Sequence, residues 1–461
     1  MNLHAVILAA GQGTRMRSSL PKVLHRVAGT PMLGHVLAAA HAAGAAHCHV
    51  VLGHGAQAVQ AWLQTQDELA VDVALQSQQL GTAHAVLQAL PVIPDDAVVV
   101  VLYGDVPLIT APTLQRLAQA AATGLALVTA TLDRPRGYGR ILRNSDGCIG
   151  GIVEEKDALA DQRTIREINA GLLAVPASLL RGWLAQIGND NANGEYYLTD
   201  IVALAVRDGV EVSAVSADSV DEIEGVNDRA QLAAAERHFQ QAQAGRLMAD
   251  GLQLLDPQRF DLRGRLDFGR DVCVDVGCVF EGTVYLADNV SVGPYVVLRD
   301  VSIGAGAQIK AHSVLESAVI GENCHIGPFA RLRPGTRLAA DVHVGNFVEI
   351  KNSTLATGAK AGHLAYVGDA DVGARVNISA GVITCNYDGV NKHRTVIGDD
   401  AFIGSDSQLI APVSVGERAY IAAGSTIARD APGEVLTIAR AREQRSLPNW
   451  RRPVKSDKKK P

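Results

Sequence analysis

Residues 320–350 read IGENCHIGPFARLRPGTRLAADVHVGNFVEI, with an aliphatic residue on every sixth place: Ile320, Ile326, Leu332, Leu338, Val344 and Ile350. A strand alternates with a period of two and a helix with about 3.6, so neither alone gives such a run. A coiled β-solenoid does. Each short strand points one aliphatic side chain inward, and the chain then turns. The same step starts in Val274, Phe280, Leu286, Val292 and Leu298, and continues after a one-residue slip at Ile303, Ile309 and Leu315. It returns in Ile397, Ile403, Leu409, Val415, Ile421 and Ile427. Gly often follows the aliphatic position, as at 293, 304, 321, 327, 345, 398, 404 and 416. TCNYDGVNKHRT, Thr384 to Thr395, interrupts this rhythm with a polar segment carrying Asn386, Tyr387, Asp388 and His393. Either it is a tolerated surface loop, or it has work to do at some other surface.

Upstream the pattern differs. Residues 1 to about 227 alternate between apolar runs that end at Gly or Asp, such as AVILAA (5–10) and AVVVVLYGD (97–105), and helical stretches such as PMLGHVLAAAHAAG (31–44). Fully apolar strands alternating with helices indicate a parallel sheet covered on both faces. Ligands in such sheets sit beyond the carboxyl ends of the strands. NDRAQLAAAERHFQQAQAGRLMADG (227–251) predicts a connecting helix, capped by Asp228 with Gln231 reaching back and Gly251 at its end. The expected domains are 1–229, a helical linker over 230–250, and 251–461. The tail RRPVKSDKKKP (451–461) reads as a solvated, poorly ordered terminus.

At 461 residues the chain is long enough for two or three domains. A net charge of −6 implies no general attraction to nucleic acid or anionic membrane. The six cysteines show no zinc spacing, which suits reduced thiols in a cytoplasmic protein. The apolar run Ala5–Ala10 is too short for a signal peptide or a membrane span.

LAAGQGTRMRSSLPK (Leu8 to Lys22) follows the first apolar strand. Gly11 and Gly13 let the backbone approach a phosphate, and Arg15 and Lys22 can neutralise it. A tight strand-to-helix turn with two surface cations would look the same. The missing GK[ST] ending argues against a P-loop, and the missing third glycine against a dinucleotide fold. In LYGDVPL (102–108), Asp105 follows another apolar strand, where a carboxylate can hold Mg2+ beside phosphates or simply cap a helix.

L-x-x-G-x-G-T-R-M followed by P-K resembles the signature of sugar-1-phosphate nucleotidyltransferases, and QLGTAHAV (79–86) and YGDVP match as well. Over essentially its whole length the chain is similar to the bacterial bifunctional enzymes that make UDP-N-acetylglucosamine. The resemblance implies an N-terminal Rossmann-like uridylyltransferase, a connecting helix and a left-handed parallel β-helix that acts as an N-acetyltransferase. It implies that Leu8, Ala9, Ala10 and Gly11 line the nucleotide. Arg15 and Lys22 would contact phosphates, with Gln76, Gly81 and Thr82 on the uracil side. Tyr103 and Gly104 precede Asp105, which with Asn227 would bind Mg2+. Gly139, Glu154 and Asn169 would hold the sugar. Beside Asn169 the family often has Thr or Ser, and this chain has Ala170.

In the repeat half, Arg333, Lys351, His363, Tyr366 and Asn377 come from successive coils, which stack and can converge. A lone His is usually a packing or surface residue. Here the resemblance implies that His363 is the general base, and an ordinary imidazole pKa near about 6.5 suits that task. It implies that Glu349 orients His363, that Arg333 and Lys351 clamp the sugar phosphate, and that Tyr366 and Asn377 contact the sugar. Asn386 and Tyr387 would enter from the loop. Ala380, Ser405, Ala423 and Arg440 would meet acetyl-CoA. The family's IGAGTITCNYDG reads ISAGVITCNYDG, with Ser379 and Val382 as departures. The family's solenoid forms a homotrimer with the acetyl-transfer site between subunits. The substrates implied are UTP, N-acetylglucosamine 1-phosphate, glucosamine 1-phosphate and acetyl-CoA. The alternatives are a single-activity nucleotidyltransferase with a structural or regulatory solenoid, and a non-enzymatic subunit built on the same two folds.

Overall fold

The computed structural model describes residues 2–66 and 70–440, and the basic tail lies outside them. The chain divides into two compact units, Met1–Gln243 and Ala244–Pro461.

In the first unit one sheet runs in the order Val212–Ser216, Leu125–Thr131, Glu167–Pro176, Val98–Tyr103, Leu3–Ala9, His47–Leu52, Val71–Leu75. Successive residues of Leu3–Ala9 feed two different cores. Ala5, Ile7 and Ala9 pack into one, Val6 and Leu8 into the other. The sheet is therefore covered on both faces, as its continuous apolar strands require.

The expectation of a parallel sheet is corrected at Glu167–Pro176 and the hairpin that precedes it. Glu167–Pro176 runs antiparallel to both of its main neighbours. A parallel return needs a crossover, usually a helix. Between Thr131 and Glu167 the chain forms the antiparallel hairpin Gly139–Arg143 with Ile149–Val153 instead, so it comes back reversed.

The helix Arg229–Ala249 starts as its sequence suggests. Asp228 Oδ1 accepts from the Gln231 amide at 2.9 Å, and the Gln231 side chain accepts from the Asn227 amide at 2.8 Å. At its end Gly251 has φ 107°, a left-handed turn suited to glycine.

The second unit is a parallel β-helix. All of the sixth-place aliphatic residues named above are buried, Ile326, Leu332 and Ile350 completely. Coils stack in register: Val274 pairs with Val292, Val292 with Ile309, Ile309 with Ile326, Ile326 with Val344, Val344 with Ala361, and Ala361 with Ile378. Ile378 then pairs with Ile403, and Ile403 with Ile421. The Ile378-to-Ile403 coil is the long one, and its excess lies inside Thr384–Thr395, between the strands Ile383–Cys385 and Thr395–Ile397. The glycines after the aliphatic positions have a steric cause. A Cβ on Gly345 would lie 1.8 Å from the Gly362 carbonyl oxygen, and one on Gly404 2.5 Å from that of Ile421. The next coil passes too close for any side chain.

Candidate functional site

Beyond the carboxyl end of Leu3–Ala9 the chain turns through Gly13, where φ is 61° and a Cβ would fall 2.7 Å from that of Lys22. The glycine thus lets Lys22 lie across the turn. Its ammonium forms an ion pair with Asp105 Oδ2 and donates to Asn227 Oδ1 at 3.2 Å. Both side chains of the ion pair are mostly buried. Gly104 ties the two strands, its amide donating to the Leu8 carbonyl at 2.9 Å.

Two adjoining cavities meet at Tyr103, Asp105 and Thr82. The smaller, about 260 Å³, is lined by Leu8, Ala9, Ala10, Gly11, Lys22, Gln76 and Gly81. The larger, about 510 Å³, is lined by Arg15, Gly139, Glu154, Asn169, Ala170 and Asn227. Gln76 is buried and donates to the Gly81 carbonyl at 3.1 Å. Asn169, also buried, accepts from the Gly171 amide at 3.1 Å. Burial pushes the Tyr103 phenol up, with Asp105 and Glu154 adding to it. Burial likewise raises the Glu154 carboxyl.

Asp105 and Asn227 converge a carboxylate and an amide oxygen on one cationic group, the Lys22 ammonium. Two hard oxygen donors on the wall of these cavities fit Mg2+, which takes oxygen ligands and completes its shell with water and phosphate.

In the β-helix, residues two places after the stacked aliphatics form a column, one per coil: Asn346, His363, Ala380, Ser405 and Ala423. His363 Nδ1 lies 2.8 Å from Asn346 Oδ1. The small residues above it leave an open track about 4.8 Å per coil, ending where Arg440 Nη1 donates to the Ala423 carbonyl at 2.9 Å. Asn377 donates to the Ser379 hydroxyl at 3.1 Å, so the first departure supplies that amide with a partner. Val382, the second, is buried.

Around the corner of the coil a second group assembles. An outward row alternates in charge: Arg263 against Glu281, Glu281 against Arg299, Arg299 against Glu316. The next two members, Arg333 and Lys351, are both cations. Lys392 from the loop joins them. Its contact with Lys351, then burial, lower the Lys351 pKa, with Arg333 adding and Asp369 opposing. Asp369 is buried and accepts from Asn352 at 2.5 Å and from Asn386. Burial would raise its carboxyl, but those hydrogen bonds and the lysines hold it below the usual range. Asn386 also approaches the Tyr366 hydroxyl at 3.5 Å. The loop braces itself. Asp388 accepts from the Val390 and Asn391 amides at 2.8 and 2.6 Å and faces His393 Nε2 at 2.7 Å. Tyr387 bridges to Lys392 across it and stays exposed.

Glu349 stands apart from His363 within the chain. Its carboxylate accepts from Arg333 at 2.8 Å, and the partner of His363 is Asn346. The reason is register: Asn346 pairs with His363, whereas Glu349 lies beyond the corner and pairs with Tyr366. Asp369, Asn352 and Lys392 were not singled out from sequence. A buried Asp in an ordinary coil has no spacing signal, and Lys392 is one polar residue among several in the Thr384–Thr395 segment.

The fold and both sites define a nucleotidyltransferase joined to a hexapeptide-repeat transferase. Residues 5–192 match the MobA-like NTP transferase domain, 263–361 the GMPPB C-terminal domain, and 394–429 the bacterial transferase hexapeptide (six repeats). The bifunctional protein GlmU of Aromatoleum aromaticum is 58% identical over 98% of this chain and 99% of its own. That of Stutzerimonas stutzeri is 56% identical over 99% and 100%. The chain belongs to the GlmU family of bifunctional transferases. It is a uridylyltransferase and N-acetyltransferase of UDP-N-acetylglucosamine synthesis.

Proposed function

We propose that the two sites described above divide the reaction between them. At the column, the amine of glucosamine 1-phosphate attacks the acetyl-CoA thioester and the thiol leaves. With Asn346 Oδ1 as acceptor, His363 Nδ1 carries its proton and Nε2 keeps a free lone pair to take the proton of the amine. Arg333, Lys351 and Lys392 hold the sugar phosphate, while Tyr366, Asn377 and Asn386 position the sugar. The donor lies along Ala380, Ser405 and Ala423, with Tyr387 beside it and Arg440 at a phosphate end.

At the first site, the phosphate oxygen of N-acetylglucosamine 1-phosphate attacks the α-phosphorus of UTP, and pyrophosphate leaves. The smaller cavity takes the uridine, with Gln76, Gly81 and Thr82 against the base. The larger takes the sugar, against Gly139, Glu154 and Asn169. Arg15 and Lys22 neutralise charge on the departing phosphates. Mg2+, held by Asp105 and Asn227, adds further neutralisation when bound.

The observation that carries the second assignment is the break in charge alternation at Arg333 and Lys351. Glu349 and Asp369 answer two of these charges, and Lys392 adds a third; the excess suits a sugar phosphate and has no use in a purely structural solenoid. The alternative of a single activity is not favoured. We further propose a homotrimer working in the cytoplasm. No helix among the described residues is long and apolar enough to cross a membrane.

Crossed assays test the division. Asp105→Ala abolishes pyrophosphate release from UTP and leaves thiol release from acetyl-CoA; His363→Ala does the reverse. Loss of both activities in either variant would sink the assignment. Sedimentation of the wild type reads the trimer.

A further inference from the structure

The segment Gly194 to Asp200, GEYYLTD, touches both ends of the double cavity. The Tyr196 amide donates to the Leu80 carbonyl at 2.8 Å, and its own carbonyl accepts from the Ala83 amide at 3.0 Å. Gly81 passes so close that a Cβ there would fall 2.5 Å from the Tyr196 oxygen, and its φ of 119° also suits only glycine. Two residues on, the Leu198 amide donates to Thr82 Oγ1 at 3.0 Å. The next residue, Thr199, donates from Oγ1 to Glu154 Oε1 at 3.0 Å. Leu198 between these contacts is buried and fixes the segment in the core.

We propose that this segment is a strap coupling the base end of the site to its sugar end, and that Thr199 is the positioning residue that aims Glu154 at the sugar. The inference rests on the reading that Glu154 holds the sugar. A carboxylate has two oxygens, and the Thr199 hydroxyl takes one of them. The other is then left in a fixed direction to accept a sugar hydroxyl, and positioning of this kind contributes directly to rate. Through the Leu198 amide the same short strap also holds Thr82 on the uracil side.

Uridylyl transfer by the full-length Thr199→Val, Thr199→Ser, Glu154→Gln and Thr199→Val/Glu154→Gln proteins tests this. Thr199→Val removes a hydrogen bond to a charged group, so the KM for N-acetylglucosamine 1-phosphate rises about tenfold or more. The KM for UTP stays within about twofold. Thr199→Ser restores most of the loss. In the Glu154→Gln background Thr199→Val adds nothing further. The acid limb of kcat/KM for the sugar also moves to higher pH in Thr199→Val. Burial, Asp157 and Asp200 push the Glu154 carboxyl up, and the Thr199 hydrogen bond is what opposes them. If Glu154→Gln raises the sugar KM and Thr199→Val does not, the proposal falls and the reading of Glu154 stands. If Glu154→Gln leaves the sugar KM unchanged, both fall. Equal rises in both KM values with a lowered melting temperature would mean a merely structural contact, and would overturn the proposal.

Discussion

Arg333 stands one coil below Lys351 on the same outward row, like charge over like charge. Below them every neighbouring pair in that row is opposite in sign. The pair is restrained by Glu349 and Asp369 and crowded further by Lys392. An arrangement of this kind is relieved by a bound dianion. Lys351→Met should raise the KM for glucosamine 1-phosphate about ten- to hundredfold, the range for a charge-assisted contact. The KM for acetyl-CoA should hardly move. Glu281→Gln, further down the same row, serves as the control and should change neither. Steady-state thiol release measures both KM values in each variant.

Asn346 gives His363 a neutral partner where a carboxylate would stabilise the imidazolium. Asn346→Asp should therefore move the acid limb of acetyl transfer to higher pH, since the base is lost to protonation sooner. Asn346→Ala should lower kcat by about ten- to a hundredfold, because the ring then loses its fixed tautomer and orientation. A pH–rate profile on both variants checks the two effects. An unmoved limb in Asn346→Asp would remove Asn346 from the mechanism.

Gly345 sits one residue before Asn346, against the coil that bears His363. Gly345→Ala would place a methyl group 1.8 Å from the Gly362 carbonyl oxygen and 2.6 Å from its carbon. The stacked coils must separate there. Acetyl transfer should fall by about a hundredfold or more, as expected when reacting groups shift by about 1 Å. Uridylyl transfer, carried by the other unit, should remain near the wild-type rate. Parallel assays of one preparation decide this.

In the first unit His4 Nδ1 lies 2.9 Å from His49 Nε2, and both rings are buried. His47 stacks on His4, while Asp72 and Asp96 face the group. Burial lowers both pKa values, that of His49 to about 4, with the neighbouring imidazoles adding and the carboxylates opposing. The unfolded chain thus binds protons more readily than the folded one below about pH 6.5. Stability from this pair is complete above that pH and is lost as pH falls towards 4. The melting temperature of the first unit should drop across that window, and His49→Gln should flatten the drop. Calorimetry at stepped pH reads the slope, and an unchanged slope in His49→Gln would rule the pair out as its cause.

The β-helix was legible because its period of six fits no other regular structure, and because the same side chains that set the period fill the core. The glycines in the pattern were legible as a habit, but their cause, backbone from the next coil, exists only in three dimensions. The reversed strand Glu167–Pro176 was hidden. An apolar run looks alike in either direction, and only the hairpin before it fixes the sense. At the sites, residues at strand ends announced themselves through glycine and charge. Those that act through a neighbour did not. Asn346 carries no signal beyond its register with His363, Asp369 looks like any coil residue, and Thr199 lies far in sequence from the carboxylate it touches.

The coil that carries Thr384–Thr395 closes with Ile378 over Ile403, as every other coil closes on its own aliphatic pair. The extra residues leave between two strands and return to the same seam, so the stack above and below registers nothing of their length. Loop and scaffold are thereby free to change at different rates. Drift in the exposed Tyr387 or in Lys392 would retune or silence the acetyl chemistry without weakening the rod. Heat resistance of the second unit would then say nothing about whether it still works.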